Sequence, residues 1–414
     1  MEQESAVYGQ RLNKSRCLAS VLGDHRHHRF LVGTLSLNSS DNEVHLIDYS
    51  EEQHDVVSVG LFRHPHEVWS ISAHPTRPDL FFTIYNTGSE FESTLWQMPD
   101  TIYKHGPQDD DSLEEEEEAE ALNLQKIVSP TLQPQLTNKF VIQTNEQKNP
   151  LHCILWDPSG VSDRVLAIDS QNVKEYRLGH ELQDAKCVNT FNVPGRRLGT
   201  GRWDPHHNEI VAVAAQTKIR QVDMRSNETV ISIDNAHDQQ RVRDFEYNPN
   251  KLYYVASCGD DCKIKFWDVR STKEPIRTLA TSVKFNPHYD QLLLSSSTDG
   301  LVNLWNIPTI SSKSVSEEVE EELEQIEKEL DLSAAGSEDD LKSDYTATSG
   351  ASKVRVANMS DTLIQSIDEH QESVYSIAWS SCNSWVFGSV SYEGRVLIHQ
   401  VKHSEKLKIL DVQL

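Results

Sequence analysis

The 414-residue sequence predicts an all-β fold, a seven-bladed β-propeller with two acidic inserts, from three features. Short alternating runs such as "RFLVGTLSL" and "QLLLSSS" are bounded by Gly, Asn, Asp and Pro, which is typical of strands separated by turns. Two kinds of strand recur along the chain in step with each other. The two long interruptions of this repeat coincide with two acidic segments.

The first recurring strand is aromatic or apolar and ends in a turn that usually contains proline. It occurs as "VWSISAHP", "LHCILWDP", "LGTGRWDP", "VRDFEYNP", "SVKFNP" and "VYSIAWSS", which end at residues 75, 158, 205, 249, 287 and 381. The steps of 47, 44 and 38 residues lie near the roughly 40–45 residues of a four-stranded propeller blade. The steps of 83 and 94 residues each contain one acidic segment.

The second recurring strand ends at a polar residue and occurs seven times. These seven residues are Asp48, Gln97, Arg177, Asp223, Asp268, Asn306 and Gln400. Seven units require an additional first blade built from residues before about 60, and a ring of blades must be closed by a strand from one end of the chain. We expect residues 6–13 or residues 406–412 to supply that strand, so that residues 1–414 form a single propeller.

Two segments carry most of the net charge of −25. Residues 109–120 hold nine acids and no bases, and residues 313–345 hold 13 acids against three lysines, which together account for 19 of the 25 negative charges. We predict a disordered acidic loop at 100–135. We predict a second acidic insert at 308–360 with a short helix at 315–332. The helix follows from one apolar stripe: Val319, Leu323, Ile326 and Leu330.

Composition and motifs exclude several function classes. A globally acidic chain repels phosphate backbones, which argues against nucleic acid as the main partner. The N-terminal "MEQESAVYGQ" has no apolar signal segment, and no apolar run reaches the roughly 18 residues of a membrane span. We therefore expect a cytoplasmic protein without direct membrane insertion. No G-x-S-x-G, H-E-x-x-H or kinase signature is present, so we expect no enzyme, no catalytic residues, no cofactor and no small-molecule substrate.

Cys258 and Cys262, in "ASCGDDCKIKFWDVR", allow two interpretations. They could be half of a metal site or a redox pair, or they could fill a strand and a turn. A zinc site usually needs two C-x-x-C pairs and this sequence has none, which favours the second interpretation and predicts no metal.

The same stretch predicts a hydrogen-bond relay in blade five of the kind that fastens a WD-repeat blade. His237 precedes the first strand, Asp261 lies in a tight turn, and Ser257 bridges the histidine to Trp267. Burial of these polar groups is tolerable only because they satisfy one another. Two later blades keep parts of the pattern: blade six has Asp299 and Trp305 but no histidine, and blade seven has His370 with Glu393 in the place of the aspartate.

A propeller binds its partners at a rim of the ring, so residues just inside the start of each first strand are candidate contacts. Counting back from each turn gives Trp69, His152, Gly199, Arg243, Thr281 and Tyr375. Tryptophan, arginine and tyrosine dominate the energetics of protein interfaces, which favours a partner-binding rim. The alternative is that these side chains pack between blades.

Four runs give the chain a family resemblance: "NAHDQQRVRDFEYNPNKLYYVASCGDDCKIKFWDVRS", "GRWDPHHNE", "HYDQLLLSSSTDG" and "EHQESVYSIAWSS". Over about residues 28–400 the sequence resembles the EARP and GARP complex-interacting WD-repeat protein family. The resemblance implies a non-enzymatic adaptor that binds subunits of the EARP and GARP vesicle-tethering complexes, peripheral at the trans-Golgi network and recycling endosomes. It also implies roles in endosomal recycling, retrograde transport and dense-core vesicle maturation.

The chain departs from that family between Leu279 and Thr281. The family carries several more residues here, with the histidine loop of blade six. The short 38-residue step shows the same gap independently. We expect the last strand of blade five or the first strand of blade six to be shortened.

A second function remains open from the residues: a substrate receptor of a cullin-RING ubiquitin ligase. "WDVR" and "VDMR" resemble the W-D-x-R pattern by which some WD-repeat proteins dock the ligase adaptor. The residues that would make this contact are Arg225, Asp268 and Arg270.

Overall fold

The computed structural model describes residues 5–9, 14–99, 102, 136–143, 150–160, 163–179, 182–194, 197–279, 282–312 and 361–410. Within them, 28 strands form seven four-stranded antiparallel sheets. Nearly all of the predicted loop at 100–135 lies outside the described residues. Residues 313–360 of the second insert, which include the predicted helix at 315–332, also lie outside them.

Each blade is one sheet of four strands that follow one another along the chain, except blade seven. Blade one contains β2 (Ser15–Ser20), β3 (His28–Thr34), β4 (Glu43–Ser50) and β5 (Asp55–Arg63). Blade two contains β6 (Val68–Ala73), β7 (Leu80–Asn86), β8 (Phe91–Gln97) and β9 (Thr137–Gln143). Blade three contains β10 (Leu151–Trp156), β11 (Arg164–Asp169), β12 (Asn172–Leu178) and β13 (Ala185–Asn192).

The second half of the ring is built in the same way. Blade four contains β14 (Leu198–Trp203), β15 (Ile210–Ala215), β16 (Lys218–Asp223) and β17 (Glu228–Ile233). Blade five contains β18 (Val242–Tyr247), β19 (Tyr254–Gly259), β20 (Ile264–Asp268) and β21 (Arg277–Leu279). Blade six contains β22 (Ser282–Phe285), β23 (Leu292–Ser296), β24 (Val302–Asn306) and β25 (Thr362–Ile367).

Blade seven closes the ring with a strand from the other end of the chain. It contains β26 (Val374–Trp379), β27 (Val386–Ser391), β28 (Val396–Gln400) and, as its outer strand, β1 (Ala6–Tyr8). β1 pairs antiparallel with β28, with Val7 opposite Leu397. The N-terminal alternative for the closing strand is therefore confirmed.

The C-terminal alternative for the closing strand is wrong over its described part. Residues His403–Ile409 form helix α1 instead, and residues 411–412 lie outside the described residues. Ile409 is buried in a cluster with Leu292 and Val401. The helix therefore packs against blades six and seven through a buried apolar side chain.

The predicted repeat agrees with the strands. The seven polar marker residues all lie on the third strand of their blades, and the predicted first blade is Ser15–Arg63. The first strands of successive blades pack around the ring, including β2 of blade one against β26 of blade seven. The hydrophobic clusters lie between neighbouring blades, as where Leu18 and Phe30 of blade one meet Val390 of blade seven. Burial of each such side chain stabilises the fold by about 1.5–3 kcal/mol.

The junction between blades five and six is short on both sides. β21 has three residues and β22 has four, and β21 makes only three pairs with β20. Both strands are thus shorter than the others of their blades, as expected from the step of the repeat. In the described part of the chain, no helix combines the length and apolar character needed to cross a membrane.

Candidate protein-interaction site

A β-bulge lies near the start of the first strand in six of the seven blades. In blade two, Val68 pairs with Tyr85 and Ser70 pairs with Ile84, so Trp69 is an extra residue with no opposite residue on the neighbouring strand. A bulge turns the extra side chain away from its normal direction and often does so beside a functional site. The same position in the six blades is held by Arg16, Trp69, His152, Gly199, Arg243 and Tyr375, the rim set.

Three members of the rim set meet at one place. The Arg16 guanidinium carbon lies 4.5 Å from the centre of the Trp69 ring and 5.0 Å from that of Tyr375. Blade one lies between blades two and seven, so Arg16 lies between two predicted rim aromatics. Cation–π contacts of this kind contribute about 0.5–2 kcal/mol each.

Sequence reasoning missed Arg16 because the first strand of blade one, "SRCLAS", has neither the aromatic residue nor the proline turn that marks most of the counted strands. The available signal was positional. Arg16 is the second residue of its first strand, as Trp69 and Tyr375 are of theirs.

Further aromatic and basic side chains extend this group along the rim. Phe91 packs edge-on against Trp69 at 5.7 Å, and the Tyr392 ring lies 5.8 Å from that of Tyr375. The Lys14 ammonium lies 4.8 Å above the Tyr392 ring. We call these six residues the blade-one cluster: Lys14, Arg16, Trp69, Phe91, Tyr375 and Tyr392. Tyr375 has 47% of its surface exposed, so the cluster is open to a partner.

The remaining predicted rim residues are not part of this cluster. His152 Nε2 lies 3.0 Å from Ser170 Oγ, and burial, helped by the nearby Arg241 charge, lowers its pKa. Arg243 is exposed and forms an ion pair with Asp260. Thr281 lies outside the described residues. The described pairing of β22 with β23 runs from Ser282 without a register shift, so the shortened junction has no described bulge.

The relay residues of blade five form one continuous hydrogen-bonded chain. His237 Nδ1 lies 2.7 Å from Asp261 Oδ1, and His237 Nε2 lies 2.8 Å from Ser257 Oγ. Trp267 Nε1 donates to the same hydroxyl at 2.9 Å. Burial lowers the pKa of His237 although Asp261 opposes this, which keeps the imidazole neutral. A Cβ at Gly259 would lie 2.5 Å from the imidazole, so glycine provides the space for it.

Blade two contains a similar chain that sequence reasoning missed. His64 Nε2 lies 3.0 Å from Thr83 Oγ1, to which Trp96 Nε1 donates at 2.7 Å. The carbonyl of His66, 2.7 Å from His64 Nδ1, takes the place of the aspartate. The signal was a histidine before the first strand with a tryptophan at the third-strand marker, "STLWQ".

Blades six and seven contain partial relays. In blade six, Trp305 Nε1 donates to Ser295 Oγ at 2.9 Å, while Asp299 accepts from the Leu301 backbone in the turn. In blade seven, His370 Nε2 lies 2.8 Å from Ser389 Oγ. Glu393 accepts instead from the hydroxyl of Ser391 and the backbone of Gln371, and His370 Nδ1 has no partner among the described residues. Glu393 therefore does not take over the role of the aspartate.

The residues of the alternative ligase contact lie on the other face of the ring. The third strand of a blade runs parallel to the first, so its end lies opposite the rim set. Arg225 donates to Asp223 at 3.1 Å and is 74% exposed, and its hydrogen bond lowers the pKa of Asp223. Arg270 donates to Asp268 at 2.6 Å and lies over the Tyr253 ring. The D-x-R part of "VDMR" and of "WDVR" is thus a local Asp–Arg ion pair in each blade.

The two cysteines of blade five lie in different environments. Cys258 is buried in β19 and its thiol lies 3.4 Å from the Asp244 carbonyl, whereas Cys262 is exposed in the turn with a φ of 57°. Neither is in a disulfide. Among the residues described above, no group of three His, Cys, Asp or Glu side chains is placed to hold a metal ion.

The seven sheets and their relays define a WD-repeat β-propeller. Residues 2–305 match the family model "EIPR1 beta-propeller", and residues 361–400 match "WD domain, G-beta repeat". The chain belongs to the EIPR1 beta-propeller family.

Relatives match over nearly the whole chain. "EARP and GARP complex-interacting protein 1" of Rattus norvegicus and its namesake of Homo sapiens are each 32% identical, covering 99% of this chain and 100% of the relative. "WD repeat-containing protein DWA2" of Arabidopsis thaliana is 30% identical and covers 94% of both chains.

Proposed function

We propose that the protein is a non-enzymatic adaptor that binds subunits of the EARP and GARP complexes, peripheral at recycling endosomes and the trans-Golgi network. The observation that carries this is that two relatives matching over 99% of the chain are named as EARP and GARP complex-interacting proteins. By the same analogy it supports endosomal recycling, endosome-to-trans-Golgi retrograde transport and dense-core vesicle maturation.

The experiment is affinity purification of the full chain from cells, with mass spectrometry of what it recovers. Subunits of the two tethering complexes are expected above the background of an unrelated seven-bladed propeller. A folded chain that recovers none of them contradicts the proposal.

The contact surface in this proposal is the rim set, with the blade-one cluster at its centre. It combines an exposed tyrosine, a tryptophan and arginines, the residue types that carry most interface energy. A triple variant, Trp69→Ala with Arg243→Ala and Tyr375→Ala, should lose about tenfold or more in affinity for the complexes. Retained binding by a folded triple variant moves the contact away from this rim.

A second candidate function is docking to a cullin-RING ligase adaptor. The observation that favours it is the repeated geometry of Arg225 and Arg270, each held by an aspartate two residues earlier on one exposed face. The test reverses both charges, Arg225→Glu with Arg270→Glu, and measures adaptor binding. Unchanged binding removes this candidate and leaves the first untouched, because the two surfaces lie on opposite faces.

A further inference from the structure

Arg16 is a cation held in a fixed position without an acidic partner in the described part of the chain. Its guanidinium contacts the Trp69 and Tyr375 rings, at 4.5 and 5.0 Å, and no carboxylate of the described residues pairs with it. Four exposed arginines elsewhere in the ring differ in this respect, since Arg77, Arg225, Arg243 and Arg270 each pair with an aspartate.

The Trp69 and Tyr375 rings contact the Arg16 guanidinium without neutralising its charge, so its N–H donors can still bind an anion. Aromatic rings that lie over a guanidinium plane cover its faces, and the N–H donors point outward from its edge. This planar fork fits the two oxygens of a carboxylate. Because the side chain is already held in place, ordering it on binding costs little conformational entropy.

Residues around Arg16 add a second positive charge and an apolar surface to the site. Lys14 supplies a second cation, above the Tyr392 ring, that forms no ion pair among the described residues. Tyr375 leaves an exposed apolar face beside Arg16. Glu67 and Glu372 lie on the same rim, just before β6 and β26, but among the described residues neither forms an ion pair with Arg16 or Lys14. The two cations thus remain available.

We infer that the blade-one cluster binds an acidic peptide segment of a partner protein, with a carboxylate on Arg16 and an apolar neighbour on Tyr375. This deepens the proposed function and rests on the same rim, but its chemistry does not depend on which protein supplies the segment. Arg16 is the residue that decides the specificity for a carboxylate.

The test selects random displayed peptides on the wild-type propeller and measures the affinity of the selected peptides for single variants. Arg16→Gln removes the charge, and Arg16→Lys keeps the charge but removes the planar fork. Arg26→Gln is the matched control, because Arg26 is exposed in blade one on the opposite face. Each selected peptide is also made with Asp and Glu replaced by Asn and Gln, which tests the carboxylate without altering the protein.

Selected peptides should share an acidic residue and bind about tenfold more weakly to Arg16→Gln, and nearly as weakly to Arg16→Lys. Arg26→Gln should bind them as the wild type does. The amide peptides should lose the same factor on the wild type and nothing further on Arg16→Gln, and added salt should weaken only the acidic peptides.

Three results overturn the inference: no peptide selected, selected peptides without acidic residues, or acidic peptides that bind Arg16→Gln normally. If Arg16→Gln is unfolded by circular dichroism, the comparison of acidic and amide peptides on the wild type decides. Recovery of the tethering complexes by the wild type is scored separately, so failure of the proposed function and failure of this inference are distinguished.

Discussion

Blades five and seven occupy equivalent places in the ring but are fastened differently. In blade five, His237 contacts both Asp261 and Ser257, and Trp267 completes the chain. In blade seven, His370 contacts only Ser389, and His399 stands on the third strand at the position of the tryptophan, stacked on Phe387. All four strands of blade five follow one another along the chain, whereas blade seven takes its outer strand from the N-terminal end.

The difference shows that a blade can be held without a complete relay. The relay satisfies buried polar groups among themselves, which confers stability and a unique arrangement. The closing strand joins the ends of the chain and covers the edge of the sheet. Blade seven has the second device and keeps only part of the first, so its histidine should be less important at neutral pH and more sensitive to acid.

The largest expected effect is the loss of the blade-five histidine. His237→Ala removes the partner of Ser257 and Asp261, both buried, and should lower the free energy of unfolding by about 3 kcal/mol. Urea denaturation measures this. His403→Ala is the control, since His403 is exposed on α1 and should change stability by less than about 0.5 kcal/mol. Equal values for the two variants would contradict the role of the relay.

The next effect is the acid sensitivity of blade seven. Burial lowers the pKa of His370 to about 4 and that of His399 to about 3, from 6.5. The unfolded chain therefore takes up these protons more readily. The stability they contribute is present above pH 6.5 and is lost as the pH falls toward the folded values. Between pH 7 and pH 5, the lowered pKa of each histidine should reduce the free energy of unfolding by about 2 kcal/mol.

His370→Gln tests that assignment. The variant should lose about 2 kcal/mol less than the wild type between pH 7 and pH 5, because one of the two proton-binding groups is gone. Urea denaturation at both pH values gives the difference. Parallel curves for wild type and variant would mean that His370 does not titrate in this range.

At pH 7 the same histidine should contribute less than its counterpart in blade five. His370→Ala removes a single hydrogen bond and leaves Ser389 unpaired, for an expected loss of about 1 kcal/mol. The comparison with His237→Ala under identical conditions checks it. A loss as large as that of His237→Ala would show that the partial relay is as strong as the complete one.

The smallest expected effect completes the relay in blade seven. Glu393→Asp places a shorter carboxylate where Asp261 lies in blade five, within reach of the unpartnered Nδ1 of His370. We expect a gain of about 0.5 kcal/mol at pH 7. The gain should vanish when His370→Ala is also present, which a double-mutant cycle measures. A loss would show that the Ser391 and Gln371 contacts of Glu393 matter more.

Most of the strands and turns of the ring could be predicted from local sequence, but only some of the residues at its rim could be. The relay residues of blade five and the third-strand markers were all placed by spacing alone, because each set lies within one repeat. His64, Thr83 and Trp96 form a similar chain that was missed because a backbone carbonyl takes the place of the aspartate, so the sequence has no acidic residue to mark it. Glu393 was matched to an aspartate by position, yet its longer side chain finds other partners.

The sequence by itself determined the number of blades and the short junction at Leu279, because strand periodicity and turn residues act over neighbouring positions. Only the tertiary structure decided that Ala6–Tyr8 closes the ring and that Arg16 lies between Trp69 and Tyr375. The pairing of Ala6–Tyr8 with β28 and the contact of Arg16 with Tyr375 join opposite ends of the chain. The bulge sets the direction of the Arg16 side chain. The closing strand and the contacts of Arg16 with both rings therefore exist only once the ring has closed.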